Sequence, residues 1–265
     1  MSLRINTNVE AFNAHRNLEG TSNKLAKSME RLSSGFRINR AADDAAGLAI
    51  SEKLRGQIGG LNQARRNVQD GISLVQTAEG SLTEVHSMLQ RSRELAVQYQ
   101  NGTLATEDRN AIVSEVRQLS DEIARIRDTS QFNGIRLLDG SVTRITFQVG
   151  ANDAETIDAT TSDLNTAAPA VDLTRRTVLA DIDTAIGRVS DLRSAFGAVQ
   201  NRLEHTYNNL SVYQENLTAS ESRIRDVDMA AEMVNFTKNN ILQQAGTSML
   251  AQAQQAPQAV LSLLR

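Results

Sequence analysis

From Leu54 to Leu89 the chain places Leu54, Leu61, Val68, Val75, Leu82 and Leu89 at intervals of seven residues without exception. Such a repeat is a stripe along one side of a helix, and it requires a helical partner. The second half of the chain supplies one in Ile182, Val189, Phe196, Leu203, Leu210 and Leu217, a stripe with the same number of members and the same length. At about 1.5 Å rise per residue each stripe is roughly 50 Å long, the dimension of a rod. The two stripes therefore predict a mainly α protein: a long antiparallel helical bundle formed by the N- and C-terminal halves, with the middle of the chain at the far tip.

Composition agrees with a rod built from helices. Aromatic residues are 3% of the 265, Trp is absent, and the two prolines, Pro169 and Pro257, leave the first 168 residues free of helix breakers. The formal net charge is -3 with both signs interspersed, so no basic face points to nucleic acid or anionic lipid. Cysteine is absent, which excludes a disulfide framework and a thiolate metal site. No run of 18 apolar residues predicts membrane insertion, and the opening residues carry no apolar run of signal-peptide type. By those rules the chain is cytoplasmic unless it leaves by a route that uses no cleaved signal.

Taken in order, residues 3–32 form a weaker amphipathic helix, with Ile5, Val9 and Phe12 followed by Leu18, Leu25 and Leu32. Ser33-Ser34-Gly35 interrupts it, and the aperiodic segment to Ala42 reads as a linker. Asp43 or Asp44 is the candidate N-cap of a helix running to about Gln100. That helix contains Gly56, Gly59, Gly60, Gly71 and Gly80, a burden that close helix approach in a bundle would explain. Asn101-Gly102 reads as a left-handed cap and Thr106 as the cap of the next helix, whose Ile112, Val116, Leu119, Ile123 and Ile126 make a third apolar strip. After so short a turn it should run antiparallel to the helix before it.

Beyond Phe132-Asn133-Gly134 the period changes to two: Ile145, Phe147 and Val149 alternate with polar residues, and Glu155 to Ala159 returns as a second strand, predicting a small β-hairpin at the tip. Residues 160–171 read as an exposed loop, in which Thr160, Thr161, Ser162 and Thr166 are candidate O-glycosylation sites. A second long helix starts near Asp172 or Thr174 and passes through Leu217, and a break at residues 220–228 precedes a last helix carrying Val234, Ile241, Met249, Val260, Leu263 and Leu264. Both end helices have apolar stripes but few large side chains. Ordering costs about 1–2 kcal/mol per residue for the backbone alone, so they are expected to be loose in the isolated chain and to order against further copies.

Longer motifs at both ends identify a family resemblance. Ile5-Asn6-Thr7-Asn8, the run from Arg31 to Asn39 (Arg-Leu-Ser-Ser-Gly-Phe-Arg-Ile-Asn), and the run from Ala41 to Ser51 (Ala-Ala-Asp-Asp-Ala-Ala-Gly-Leu-Ala-Ile-Ser) resemble the N-terminal signature of bacterial flagellin. Residues 222–230 and the closing Gln254 to Leu264 are similar to its C-terminal signature. The resemblance covers roughly residues 1–140 and 175–265, with the central region of larger flagellins reduced to about 35 residues. It implies a subunit of the flagellar filament, exported through the flagellar type III apparatus and therefore extracellular without a cleaved signal. Three parts are expected: residues 1–42 with 224–265 as the terminal helices lining the filament core, 43–133 with 172–223 as the helical bundle, and 134–171 as the hairpin and variable surface loop. The implied filament-core set is Ile5, Val9, Phe12, Leu18, Leu25, Leu32, Val234, Ile241, Met249, Val260, Leu263 and Leu264. Implied partners are other flagellin subunits, a flagellar export chaperone, and the filament cap and hook-junction proteins. A Toll-like receptor of animal innate immunity is a further implied partner, with receptor contacts at Arg91, Leu95 and Glu115.

Catalytic chemistry finds no footing. His15, His86 and His205 lie on different predicted helices without a second ligand one turn away, so no metal or cofactor is expected. Neither HExxH nor a phosphate-binding GxxxxGK[ST] occurs, and Asp43-Asp44 reads as helix-start charge. Asn101-Gly102-Thr103 fits the N-glycosylation pattern but serves better as a turn. Two other readings compete with the filament subunit: a hook-filament junction protein, which resembles flagellin at both ends, and a cytoplasmic coiled-coil signalling adaptor, which heptads alone would support equally. The second does not explain the matched terminal motifs, and an enzyme explains neither feature.

Overall fold

The computed structural model describes residues 8–168, 170–175 and 177–263. In chain order the elements are α1 (Val9–Ser34), α2 (Ala45–Tyr99), α3 (Thr106–Thr129), β1 (Gln131–Phe132), β2 (Ile135–Arg136), β3 (Arg144–Gln148), β4 (Thr156–Thr160), α4 (Leu164–Ala167), α5 (Val178–Arg225) and α6 (Met229–Leu263). The chain divides into two compact units, one of residues 57–216 and the other of residues 1–56 with 217–265.

In the first of these units the heptad stripes do what their spacing demands. Leu61, Val68, Val75, Leu82 and Leu89 of α2 are buried, as are Ile182, Val189, Phe196, Leu203 and Leu210 of α5. The end members, Leu54 and Leu217, fall in the other unit and are only half-buried. Polar contacts fix the direction and register. Arg65 donates to Gln214 Oε1 at 2.8 Å and to the Tyr207 hydroxyl at 3.0 Å. Further along, Arg193 pairs with Glu79 at 3.7 Å and Arg93 with Asp183 at 2.6 Å. Numbers rise along α2 as they fall along α5, so the helices are antiparallel. These pairs are largely solvated, so they set register more than they add stability.

α3 closes the bundle. Ile112 and Val116 join Leu95 and Ala96 of α2, Val178 and Ile182 of α5, and Leu173 from the segment before α5 in one apolar cluster. The turn that brings α3 back differs from its sequence reading. Gly102 is not left-handed; the glycines with positive φ are Gly35, Gly134 and Gly140. α2 ends instead by tightening, with the Asn101 N–H on the Gln98 carbonyl at 3.1 Å and the Thr103 N–H on Asn101 Oδ1 at 3.3 Å. Thr106 is the first residue of α3 rather than its cap. Asp108 reaches back to accept the Ala105 N–H at 3.3 Å.

Two antiparallel hairpins follow. β1 and β2 are joined at Asn133-Gly134, both with positive φ, as a two-residue hairpin turn requires. β3 and β4 pair Phe147 with Ile157 and Ile145 with Ala159, and Phe147, Val149, Ile157 and Ala159 are buried. The β3–β4 hairpin is not at the tip. It lies along the bundle on α2, where Asn67 Nδ2 donates to the Gln148 carbonyl at 3.0 Å. This placement also corrects the reading of the α2 glycines. A Cβ at Gly60 would stand 2.9 Å from Ala151 Cβ, and one at Gly71 would stand 3.2 Å from Phe147 and 3.3 Å from Leu203. Gly56, Gly59 and Gly80 face open space. The glycines that matter admit a hairpin as well as a helix.

Among the described residues of 160–171, the expected exposed loop is in part packed, although Thr160, Asn165, Thr166 and Ala170 are exposed. α4 brings Leu164 and Ala167 into the core, with Ala168 and Thr161 also buried. The Leu164 N–H donates to the Leu138 carbonyl at 2.8 Å, tying the segment to residues just past β2. α5 begins at Val178, later than the polar residues at 172–174 suggest, because Asp172 Oδ1 turns back to accept from the Thr174 N–H and hydroxyl.

Gly60→Ala should lower the resistance of the monomer to urea, whereas Gly80→Ala should raise it by about 0.5–1 kcal/mol through helix propensity alone. Circular dichroism of the two variants beside the parent reads both signs.

Candidate functional site

The unit of residues 1–56 with 217–265 is built from helix ends and turns. α1 starts where Asn8 Oδ1 accepts the Ala11 N–H at 3.0 Å, and it stops at left-handed Gly35, whose N–H bonds to the Arg31 carbonyl at 2.9 Å. α2 starts at Asp44, whose Oδ1 accepts the Gly47 N–H at 2.8 Å. α6 starts at Asp228, whose Oδ1 accepts from the Ala230 and Ala231 N–H groups at 3.0 and 3.1 Å.

The segment between α1 and α2 is a clasp rather than a linker. Phe36 bridges to Asp226, the Arg37 N–H donates to the Arg225 carbonyl at 2.7 Å, and the Val227 N–H donates to the Gly35 carbonyl at 3.0 Å. The Arg225 guanidinium lies 5.0 Å from the centre of the Phe36 ring and donates to Glu52 Oε1 at 2.6 Å. Ile38 is fully buried beneath. Asp43 locks the next turn, accepting the Asn39 and Arg40 N–H groups at 3.2 and 3.1 Å and pairing with Lys27 at 2.6 Å. The Lys27 hydrogen bond and these backbone donors hold its carboxyl well below the usual range, at about 2. The aperiodic segment signals the clasp only weakly, through a lone Gly35 followed by Phe36 and Ile38.

α1 and α6 pair antiparallel. Asn8 Nδ2 donates to the Ala253 carbonyl at 2.7 Å, Leu18 stands 3.2 Å from where a Gly246 Cβ would be, and Arg31 pairs with a buried Glu232 at 3.6 Å. Leu18, Leu25 and Leu32 are half-buried. The rest of the sequence-derived set lies outside: Phe12 and Val234 are more than two-thirds exposed, and Val9, Ile241 and Met249 are exposed with them. Met29, Met229, Met233 and Leu242 extend this surface. A groove of about 410 Å³ between the helices is lined by Ala14, Leu18, Leu242, Ala245, Gly246 and Met249. Among the described residues of this unit, Ile38 is the one hydrophobic side chain that is fully buried. Ile5 and Leu264 lie outside the described residues, as do the side chains of Val260 and Leu263.

A second surface lies on the bundle. Arg91 donates from Nε and Nη2 to Glu115 Oε1 at 3.0 and 2.9 Å and from Nη1 to Glu94 at 3.1 Å, which raises the guanidinium pKa. Leu95 does not share that surface: it is 3% exposed and belongs to the core, one turn beyond Arg91 on the inward side of α2. Of the four hydroxyls proposed for glycosylation, Thr160 and Thr166 are exposed and Ser162 is half-exposed, but Thr161 is buried and donates to the Val142 carbonyl. Half-buried His86 meets the Gln90 amide at 3.0 Å. Among the described residues no group of three His, Asp or Glu side chains is gathered as for a metal. No described helix is long and apolar enough to cross a membrane.

Comparison with known proteins places these features in a wider set. Residues 5–143 match the bacterial flagellin N-terminal helical region, and residues 179–264 match the bacterial flagellin C-terminal helical region. A flagellin of Halalkalibacterium halodurans is 58% identical over 98% of this chain and 99% of its own length. A flagellin of Bacillus subtilis is 48% identical over 99% of this chain and 100% of its own, and the flagellar filament 33 kDa core protein of Treponema phagedenis is 49% identical over 98% and 99%. The crystal structure of Bacillus cereus flagellin superposes with a TM-score of 0.50 at 34% identity, over 55% of this chain and 88% of that one.

Because Asp43 has a depressed folded-state pKa, its contribution to stability is present above the unfolded value near 3.8 and is lost as pH falls through about 2. Carboxyl carbon NMR of the monomer should show Asp43 titrating near pH 2, and Lys27→Met should move that midpoint upward.

Proposed function

The chain belongs to the bacterial flagellins, subunits of the flagellar filament, and from that premise we propose that α1 and α6 form the part that polymerises into a filament core for swimming motility. The observation that carries this is the contrast in burial. The heptad stripes of α2 and α5 are covered within residues 57–216, while Phe12, Val234, Ile241 and their neighbours have no cover within their own unit. Burying an exposed Val, Ile or Phe contributes about 1.5–3 kcal/mol, so a row of them is a strong drive toward identical copies arranged head to tail. In this reading residues 1–42 with 224–265 line the filament core, 43–133 with 172–223 form the surrounding bundle, and 134–171 supply the outward face. The role is structural rather than catalytic.

Export through the flagellar type III apparatus, with extracellular placement in the filament, follows as the finer proposal. A chain that must travel unfolded gains from end helices that are completed only on assembly. The exposed row on α6 also suits an export chaperone that covers the C-terminal region before assembly, and the filament cap and hook-junction proteins are the partners at the two ends of the polymer. Thr160, Ser162 and Thr166 remain candidates for O-glycosylation.

Recognition by a host Toll-like receptor is assigned to the exposed Arg91–Glu115 pair, with Leu95 holding the α2 surface from beneath. A solvated pair of this kind contributes little to folding, so it can be removed without loss of structure.

Purified protein should elongate short filament seeds into long tubes visible by electron microscopy. Val234→Asp with Ile241→Asp should leave the monomer's circular dichroism unchanged and stop elongation; truncation of residues 227–265, which removes α6, should also stop elongation. Elongation by the doubly charged variant would overturn the assignment of this face.

Arg91→Ala with Glu115→Ala should abolish signalling in receptor-bearing cells while seed elongation persists. Undiminished signalling would refute that surface.

A further inference from the structure

The chain has no cysteine and no tryptophan, so methionine carries its most easily oxidised side chains, and it has six of them. Their distribution is uneven. Met29, Met229, Met233 and Met249 are between 48% and 62% exposed, and all four lie on α1 or α6, in the unit with the uncovered apolar surface. Met88 is half-buried on α2 within the bundle, and Met1 lies outside the described residues. Met249 lines the groove between α1 and α6 beside Leu18, Leu242 and Gly246.

We propose that these four methionines are a set of oxidation sites through which peroxide controls assembly: the unassembled subunit is modified there, and a modified subunit is rejected by the growing polymer. The inference rests on α1 and α6 being the polymerising face. In the reaction a sulfur lone pair attacks one oxygen of hydrogen peroxide. The O–O bond breaks as an S–O bond forms, and the departing hydroxide takes up the proton released from the transferred oxygen to leave as water. Sulfur is oxidised by two electrons and the peroxide is reduced by two. A flexible apolar thioether becomes a polar, chiral sulfoxide.

Geometry makes this step consequential here. Each of the four side chains is about half exposed, so a sulfoxide can turn its oxygen to solvent at little cost to the monomer. Burying its oxygen against an apolar neighbour without a hydrogen-bond donor weakens association by roughly tenfold per site, an effect that compounds over four sites. Assembly would in turn cover the same sulfurs, so finished polymer resists what the free subunit does not. The lesion is reversible by methionine sulfoxide reductases, one for each epimer.

The test compares full-length protein with a variant carrying Met29→Leu, Met229→Leu, Met233→Leu and Met249→Leu, with and without hydrogen peroxide. Peptide mass mapping should find one added oxygen at each of the four before Met88 in the monomer, and much less at those positions in pre-formed filament. Oxidised parent should elongate seeds at least tenfold more slowly, and treatment with the two reductases should restore the rate. The leucine variant should elongate at the same rate with or without peroxide. Equal sensitivity of the leucine variant, or undiminished elongation by parent shown to be oxidised at all four sites, would overturn the proposal. Failure of untreated parent to elongate seeds would instead sink the polymerising-face reading. If the fourfold variant does not elongate untreated, four single Met→Leu variants replace it, and peroxide loss that no single replacement reduces would overturn the proposal.

Discussion

The seam between α2 and α5 is the constraint on which the bundle depends. Two stripes of large apolar side chains, each following a seven-residue period, bury one another along antiparallel helices. Neither helix has an apolar face that another element of the same unit would cover so completely, and only an antiparallel partner of equal length removes both stripes from water. Once they are paired, the remaining elements have a surface to complete. α3 adds Ile112 and Val116 beside Leu95, and the β3–β4 hairpin lays Phe147 and Ile157 over the flank that Gly60 and Gly71 leave low.

The unit formed by the two ends of the chain follows a different logic. Its internal order comes from backbone hydrogen bonds, caps and charges: the Phe36–Asp226 bridge, Arg225 between Phe36 and Glu52, and Asp43 held by Lys27 and two backbone N–H groups. Its apolar side chains are spent outward. A clasp of polar and cation–π contacts gives α1 and α6 defined starting points without consuming the apolar area that the two helices leave exposed. That division fits the proposed role, in which the exposed row is covered by further copies of the chain.

A face that is apolar, exposed and rich in methionine is also chemically vulnerable. Thioethers adapt their shape to a neighbouring copy better than branched side chains do, because an unbranched chain with several rotatable bonds fills irregular gaps. In the proposed role, the same exposure that would let them meet a neighbouring copy lets them meet an oxidant. Adaptability and oxidation are two consequences of one placement.

How much of this was legible depended on periodicity. The heptad stripes pointed to the helical class and to α2 and α5 as partners, because a seven-residue apolar period needs a helical neighbour. The ends of α2 were legible from polar and glycine residues beyond its stripe, and the start of α5 was not. Strand alternation likewise marked β3 and β4. The motifs at the two ends of the chain carried the family. Tertiary structure decided what periodicity does not encode. It laid the hairpin along α2 instead of at the tip, since Gly60 and Gly71 offer room that no pattern advertises. It buried Thr161 and Leu164, because a short polar stretch can be held by a few backbone hydrogen bonds. It turned the aperiodic segment around Ile38 into a clasp, and it separated the end-helix residues into Leu18, Leu25 and Leu32, which face the paired helix, and Phe12, Val234 and Ile241, which do not. An apolar stripe states that a side chain needs cover; only the packed structure shows which of them have found it.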